Sequence, residues 1–339
     1  QVALDAAAAL KDRLDLTVVM SDAGSGTPPA VNEFPVLRGR IKSVQGHLGA
    51  FAITIDSLAV AAPPSRRTFT FGPARNGAVS KADILIDLSG SPALVTAPEL
   101  RAGYLRADPT DAAAVAKLLF KAADLIGTFD KPRTIDFKAE LCAHARSKKV
   151  GCTRCLDLCP AGAIAPNGNA VAIDPHICAG CGQCAAACPT GAASYAVPAV
   201  DVLLQQIRAG AQAYFDAGGS APVLLLHDAA HGAPMIDAAA RFGDGLPANV
   251  VPLLLNEVTQ VGLETIAASV AYGFRAVRLL TRARPRHDIA GLRATVETAT
   301  RILSGLGYGT DAVGIIETDD PDALGESLRM PRPPVAPLA

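Results

Sequence analysis

All eight cysteines of the 339-residue chain lie in one short stretch near its middle, and this clustering limits the fold more than any other feature. The first is Cys142, the last is Cys188, and neither flank contains a cysteine. A secreted chain that depends on disulfides spreads its cysteines over its domains. The clustering therefore argues against a disulfide framework and indicates that the thiols bind metal.

The second half of the stretch has a regular spacing, Cys178-x2-Cys181-x2-Cys184-x3-Cys188-Pro189. It resembles the C-x2-C-x2-C-x3-C-P motif of bacterial ferredoxins that bind two [4Fe-4S] clusters. Gly180 and Gly182 let the backbone approach the cluster sulfides. Pro189 suits the first position of a helix, so we expect Cys188 where a short helix begins.

The first half of the stretch repeats the end of this motif, as Cys142-x9-Cys152-x2-Cys155-x3-Cys159-Pro160. Its last three cysteines stand at a constant offset from Cys181, Cys184 and Cys188. The repeat resembles the internal pseudo-twofold symmetry of the two-cluster ferredoxin family. On this resemblance we place a ferredoxin-like domain at residues 137–198.

The family resemblance also implies a ligand set, in which each motif lends its last cysteine to the other cluster. Cluster I is then bound by Cys142, Cys152, Cys155 and Cys188. Cluster II is bound by Cys178, Cys181, Cys184 and Cys159. Eight ligands account for eight cysteines with none left over.

Two alternatives to this ligand set stay open. Two zinc sites of four cysteines each need the same number of thiols, although zinc sites usually come as separated C-x2-C pairs. The long gap after Cys142 also allows a three-iron centre that Cys142 does not bind, or a site at which His144 competes as a ligand. We favour Cys142 as the ligand and expect His144 to face solvent.

The residues between Cys142 and Cys152 include three cations, Arg146, Lys148 and Lys149. They form either a solvated loop or a docking surface for an acidic partner. Positive charge close to cluster I also makes the cluster easier to reduce.

The chain after the cysteines alternates between helix and strand patterns. Helices are predicted at 199–216, 235–242, 260–272 and 288–303, and strands at 223–226, 250–255, 276–280 and 313–316. Short apolar strands alternating with helices are typical of a parallel sheet covered on both faces. We therefore predict a doubly wound α/β domain at 199–328, followed by a Pro-rich extended tail at 329–339.

This C-terminal domain resembles the delta-subunit family of methyl-viologen-reducing hydrogenases. The likeness lies in Val261-Gly262-Leu263-Glu264-Thr265-Ile266 and in Ala271-Tyr272-Gly273-Phe274. Members of that family bind a [2Fe-2S] cluster through cysteines, which this domain does not have. The resemblance therefore implies only the scaffold and a docking role.

The chain before the cysteines is predicted to form an N-terminal α/β segment, 1–136. Buried strands are expected at 16–20 and 84–88, and the stretches 36–44 and 50–56 flank a turn as a β-hairpin. This hairpin is similar to the one that precedes the ferredoxin insert in the A-subunit family of heterodisulfide reductases, which also hold a flavin.

No convincing flavin or dinucleotide fingerprint accompanies that likeness. Gly24-Ser25-Gly26 follows a strand but continues into Thr27-Pro28-Pro29, which disfavours a phosphate-binding turn. Gly305, Gly307 and Gly309 follow a helix and are better explained as its C-terminal cap and loop. We therefore do not expect bound flavin or NAD.

The composition argues against nucleic acid and membranes as partners. Lys and Arg number 31 against 32 Asp and Glu, a net charge of −1, so no global positive field holds nucleic acid or anionic lipid. Half of the residues are hydrophobic, but no apolar run reaches the roughly 18 residues of a membrane span. We expect a cytoplasmic protein, with targeting left open because the chain begins at Gln1.

Together these patterns predict an α/β protein in which a ferredoxin-like two-[4Fe-4S] domain is inserted between α/β segments. The expected function is electron transfer between a redox partner, such as a dehydrogenase, and an acceptor or soluble electron carrier. The expected cofactors are two [4Fe-4S] clusters, and no catalytic residue is identified. The alternatives are a flavin- or NAD-dependent oxidoreductase with built-in clusters and an iron–sulfur sensor.

Overall fold

The structure, a computed structural model, describes residues 1–21, 26–29, 31, 33–62, 67–146 and 149–329. Contacts divide the chain into two compact units, Gln1–Lys131 and Pro132–Ala339. The second unit holds both the cysteine segment and the C-terminal α/β part. Three predictions fall partly or wholly outside the described residues, those for Lys148, for the Gly24-Ser25 pair and for the tail after Arg329.

The N-terminal unit is built on a four-stranded mixed sheet of order β1-β2-β3-β4 and a separate parallel pair, β5 and β6. Strands β2, β3 and β4 run antiparallel, and β1 is parallel to β2. The elements are α1 Val2–Leu10, β1 Val18–Met20, β2 Val36–Gln45, β3 Phe51–Val60, β4 Ala78–Ala82, β5 Leu85–Asp87, β6 Tyr104–Arg106 and α2 Ala112–Ala123.

Strands β2 and β3 form the predicted hairpin. The connection contains Gly46 and Gly49, both in the left-handed region that glycine adopts without steric cost. Phe51, Ile53 and Ile55 alternate along β3 and are buried, so one face of the hairpin packs into the core. No strand is predicted at β4, which has no fully buried residue and therefore no apolar alternation to reveal it.

The cysteine segment is made of short elements around two small helices. They are β7 Ile135–Phe137, β8 Ala145–Arg146, β9 Lys149–Val150, α3 Arg154–Leu158, β10 Ile164–Asn167, β11 Ala170–Ile173, α4 Gln183–Ala186 and β12 Ala193–Tyr195. β7 pairs antiparallel with β12, which joins the two ends of the segment. β8 and β9 form one hairpin, and β10 and β11 form another.

The C-terminal part is a four-stranded sheet of order β14-β13-β15-β16 in which all neighbours are parallel. The α/β class is thus confirmed. The elements are α5 Val200–Asp216, β13 Val223–Asp228, α6 Gly232–Phe242, β14 Val250–Leu255, α7 Leu263–Ala271, β15 Ala276–Thr281, α8 Ala290–Gly305, β16 Val313–Glu317 and α9 Pro321–Leu328.

Both faces of this sheet are covered by helices. Along β13, Leu224 and Leu226 belong to a core with residues of α5, α7 and α8. Leu225, which points to the opposite face, belongs to a second core with residues of α6 and α9. Burial on both faces explains why β13 is a continuous apolar run rather than an alternating one.

Helix α7 begins later than the sequence predicts. Instead of starting at residue 260, the chain makes a single 3-10 turn, Val258–Gln260, and becomes extended at Gly262 before α7 starts at Leu263. At the end of α8, Gly307 adopts the left-handed conformation of a helix cap, as predicted, whereas Gly305 is the last residue of the helix rather than part of the loop after it.

Helix α9 is not predicted. The Asp320 side chain accepts a hydrogen bond from the Asp322 N–H and so caps the helix, with Pro321 as its first residue. Within the described residues, no helix has both the length and the apolar character needed to cross a bilayer.

The two-faced core predicts where the C-terminal domain is sensitive to substitution. Leu226→Ala removes a fully buried side chain, and we expect the free energy of unfolding to fall by about 2–5 kcal/mol. Leu254 lies on the neighbouring strand and is 53% exposed, so Leu254→Ala should lower the free energy of unfolding by about 0.5 kcal/mol or less. Denaturant unfolding followed by circular dichroism measures both, and equal losses would contradict the assigned core.

Candidate iron–sulfur site

The first cysteine motif surrounds helix α3. Cys142 ends a 3-10 turn, Ala139–Leu141, and Cys152 precedes the helix. Cys155 lies within α3, and Cys159 is the first residue after it. One thiol of this motif is therefore presented from the end of the 3-10 turn and three from α3 and the residues that flank it.

The second motif surrounds helix α4 in the same way. The loop of Cys178 and Cys181 is tight because Gly180 and Gly182 are both left-handed, and Cys184 lies within α4. Cys188 follows the helix, since α4 ends at Ala186. Our expectation that Cys188 and Pro189 begin a short helix is wrong, because the chain turns there towards β12.

The eight thiols gather around two small cavities, four at each. Cys142, Cys152, Cys155 and Cys188 line one cavity, and we call them the first quartet. Cys159, Cys178, Cys181 and Cys184 line the other, and we call them the second quartet. Each cavity thus receives three cysteines from one motif and the last cysteine of the other motif.

The two helices connect the quartets. Cys155 at the first cavity lies within α3, and Cys159 at the second is four residues later, directly after the helix ends. Cys184 and Cys188 have the same four-residue spacing, with Cys184 inside α4 and Cys188 just beyond it. The two cavities are therefore close neighbours within one small domain.

Backbone N–H groups reach the sulfur atoms of the two cysteines that cross between the motifs. The Ala163 N–H donates to Sγ of Cys159 at 3.3 Å, and the Ala193 N–H donates to Sγ of Cys188 at 3.4 Å. Hydrogen bonds of this kind stabilise negative charge on sulfur and raise the potential of a bound cluster.

The electrostatics of the quartets favour a strongly cationic occupant. Burial, together with the neighbouring thiols, raises the pKa of Cys155 and of Cys181 to about 11, and that of Cys184 is raised as well. At Cys188 burial acts in the same direction, but N–H donors from Ala193 and Thr190 outweigh it, and the net pKa is lowered. Four thiolates this close together need a bound cation to remain ionised.

The donor set fits a [4Fe-4S] cluster better than the alternatives. All eight cysteines are free thiols, so the cysteines form no disulfide framework. Among the described residues, no three His, Cys, Asp or Glu side chains converge closely enough to hold one metal ion. Around a four-iron cluster each thiolate binds a separate iron, so the sulfur atoms stand farther apart than around one zinc.

His144 does not face solvent, contrary to our expectation. Its side chain is buried, and Nδ1 lies 2.9 Å from the carbonyl oxygen of Cys152. Because a carbonyl only accepts, the ring N–H must donate in this contact. His144 thus holds the loop against the first quartet, and the sequence missed this role because a lone histidine carries no signal of burial.

The predicted docking cations lie next to the first quartet in sequence. Arg146 ends β8, Lys149 begins β9, and both side chains are exposed. Val150 is also exposed, at 65%. The hairpin therefore presents charge and apolar surface together.

The second quartet is held by loops at the carboxyl edge of the parallel sheet. Oγ1 of Thr259, in the turn after β14, donates to the carbonyl of Cys181 at 2.6 Å. The Tyr195 hydroxyl donates to the carbonyl of Gly180 at 2.7 Å and accepts from Nδ2 of Asn256 at 2.6 Å. Nε2 of Gln183 donates to the carbonyl of Asp288, after β15, at 2.8 Å.

Close packing at this contact requires glycine. A Cβ atom on Gly182 would lie 2.7 Å from Cα of Gln260, closer than real Cβ atoms approach other atoms. The residues that support the second quartet were not predicted from the sequence. One available signal was their position, because polar residues that follow parallel strands gather at the carboxyl edge of the sheet.

Comparison with known families agrees with this geometry. Residues 124–192 match the family model of the 4Fe-4S dicluster domain. The matched segment contains all eight cysteines, which supports an iron–sulfur protein that binds [4Fe-4S] clusters and belongs to the electron-transport class. No curated protein matches the chain. The similarities of the flanks to hydrogenase and heterodisulfide reductase subunits stay predictions.

The donor set predicts the metal content. Anaerobically prepared protein should contain about eight irons and about eight acid-labile sulfides per chain, as two four-iron clusters require. Metal analysis and sulfide determination measure this directly. Two zinc ions per chain without labile sulfide would contradict the assignment.

The crossed arrangement of the quartets predicts which site each cysteine serves. Cys188→Ala should convert or destroy the site of Cys142, Cys152 and Cys155 and leave the other intact. Cys159→Ala, the matched control from the opposite motif, should have the reverse effect. Electron paramagnetic resonance of each reduced variant shows which of the two clusters is lost. Loss of the second quartet's signal in Cys188→Ala would refute crossed ligation.

Proposed function

We propose that the chain is an electron-transfer subunit that relays single electrons through two [4Fe-4S] clusters. Cluster I is assigned to Cys142, Cys152, Cys155 and Cys188. Cluster II is assigned to Cys159, Cys178, Cys181 and Cys184. Each cluster supplies one reversible one-electron couple, and the chain's own residues bury the clusters, donate N–H groups to their ligands and present them to partners.

The observation that carries this proposal is the adjacency of the two quartets. Each helix carries a cysteine of one cavity, and the cysteine that follows the helix lines the other cavity. Two clusters bound there are therefore neighbours, which suits a relay from one partner to another. Neither quartet leaves a cysteine over for substrate chemistry. A role in electron transfer therefore explains all eight thiols.

We assign the entry port for a protein partner to the side of cluster I. Around the second quartet, Thr259, Asn256 and Asp288 of the C-terminal part bond to the cysteine segment. Around the first quartet, Arg146, Lys149 and Arg154 are exposed. Exposed cations beside apolar Val150 complement an acidic redox protein, and charge of this kind steers association.

The partner proposed for this port is an acidic redox protein, either a dehydrogenase or a soluble electron carrier. A molybdenum- or flavin-containing dehydrogenase such as a formate dehydrogenase is one candidate of this class. This choice rests on the resemblance of the cysteine segment to ferredoxin-type subunits. A cytoplasmic location and the absence of flavin and NAD stay predictions.

Electron transfer from a reduced acidic flavodoxin, used as a probe, tests both the function and the port. The holoprotein should be reduced rapidly at low salt, and the second-order rate should fall with ionic strength because exposed charges are screened beyond about 8 Å at physiological salt. The combined variant Arg146→Gln, Lys148→Gln and Lys149→Gln should be slower and less dependent on salt, with unchanged iron content.

A matched control removes three exposed cations elsewhere in the same unit, through Arg208→Gln, Arg241→Gln and Arg301→Gln. This control should keep the parent rate and salt dependence. If it slows transfer as much as the loop variant, the port is misplaced. If no variant, nor the parent protein, accepts electrons from the probe or from dithionite, the electron-transfer function itself fails.

A further inference from the structure

A cavity lies in the C-terminal domain at the edge of the sheet opposite to the one that bonds to the cysteine segment. It has a volume of about 340 Å³, within the range of about 300–1,000 Å³ of small-molecule sites. Its lining includes the start of β13 at Val223, the start of β15 at Ala276 and the end of α9 at Leu328. The carboxyl edge, where α/β sheets usually bind ligands, is occupied by loops that hold the second quartet.

Three arginines line this cavity, Arg275, Arg278 and Arg329, against a single acidic residue, Asp311. Arg275 and Asp311 form an ion pair at 3.6 Å. Nη2 of Arg329 lies 3.1 Å from Oδ2 of Asp244, a highly exposed residue that is not part of the lining. After these pairings, one guanidinium in the lining has no carboxylate at ion-pair distance among the residues that the structure describes.

That remaining guanidinium belongs to Arg278, in the interior strand β15. Side chains alternate along a strand, so Arg278 shares the face of Leu280, which belongs to the core beneath α6 and α9. Its register partner on β16 is Gly314, and a Cβ atom there would lie 3.8 Å from Nη1 of Arg278. The guanidinium of Arg278 therefore lies over Gly314, at an ordinary van der Waals distance from where a Cβ would be.

The charge of Arg278 is poorly compensated by the chain. Within the residues that the structure describes, no carboxylate lies within ion-pair distance of it, and Nη1 donates to the carbonyl of the adjacent Val277 at 3.1 Å. Burial is the main reason that its pKa is lowered; Asp311, beyond ion-pair distance, partly opposes this, and the neighbouring Arg275 adds to it. A charged group removed from water without a partner is unfavourable, so the site gains stability from an anion.

The shape of the donors and the lining narrows the class of anion. Guanidinium groups bind phosphate and carboxylate through paired N–H donors, and phosphate is large enough to bridge several of them. Val223, Pro247, Ala276 and Leu328 add apolar surface beside the arginines. A phosphate monoester that also carries a flat, largely apolar group would match the cavity: its phosphate would meet the arginines, and the flat group would meet the apolar residues.

We propose that this cavity is a binding site for a nucleoside monophosphate or a closely similar phosphate monoester. Arg278 binds the phosphate from inside the cavity, Arg275 assists it, and Arg329 closes the rim. The apolar body lies against Val223 and Leu328. None of the eight cysteines lines this cavity, so the site is separate from the two thiol quartets.

Calorimetric titration of the holoprotein with AMP, adenosine and inorganic phosphate tests the proposal. AMP should bind, adenosine should not, and Arg278→Gln should weaken AMP binding by about tenfold or more. Arg329→Gln, at the rim, should weaken it less. Arg301→Gln, exposed on α8 and outside the cavity, is the matched control and should bind AMP like the parent protein.

Iron content and melting temperature show whether Arg278→Gln keeps its fold, and Arg329→Gln provides an independent test if it does not. If inorganic phosphate binds as tightly as AMP, the proposed contact between the ligand's apolar body and Val223 and Leu328 is wrong. Absence of binding by both AMP and phosphate, or AMP binding unchanged in Arg278→Gln and in Arg329→Gln, would overturn the site itself.

Discussion

Each of the two thiol sites takes one of its four cysteines from the motif that supplies the other site, and the structure of the cysteine segment depends on this exchange. Helices α3 and α4 are each too short to be stable alone, and each carries a thiol of one quartet and is followed by a thiol of the other. One site therefore cannot form in its native geometry without positioning residues of the other. We infer that metal binding and folding of this segment are coupled, as in other small domains whose cores are thiol-bound metal centres.

The C-terminal sheet completes this arrangement from one side. Loops at the carboxyl ends of β14 and β15 supply Thr259, Asn256 and the Asp288 carbonyl, which bond to the cysteine segment or to Tyr195 within it. In many α/β proteins this edge binds a soluble ligand. Here the carboxyl edge binds a loop of the same chain, and this contact orients the second quartet. The exposed cations, in contrast, lie beside the first quartet in sequence.

The surroundings of the two quartets also differ in ways that affect the reduction potential of a bound cluster. His144 fixes the loop at the first quartet, and Arg146 and Lys149 place positive charge near it. The second quartet is more enclosed, and burial disfavours additional charge. Nearby cations and solvent make reduction easier, while enclosure opposes it. The two sites therefore have different environments despite their related motifs.

The sequence by itself determined the chemistry and the class of fold. The spacing of the cysteines indicated two four-thiol sites, and the apolar runs at 223–226, 250–255 and 276–280 predicted the parallel strands. At 223–226 the run is unbroken because the strand is buried on both faces. Features set by long-range contacts were decided only by the tertiary structure. These include the burial of His144, the support of Cys181 by Thr259 and the placement of Arg278 over Gly314. Each joins residues far apart in the chain or on neighbouring elements, and local pattern carries no information about such pairings.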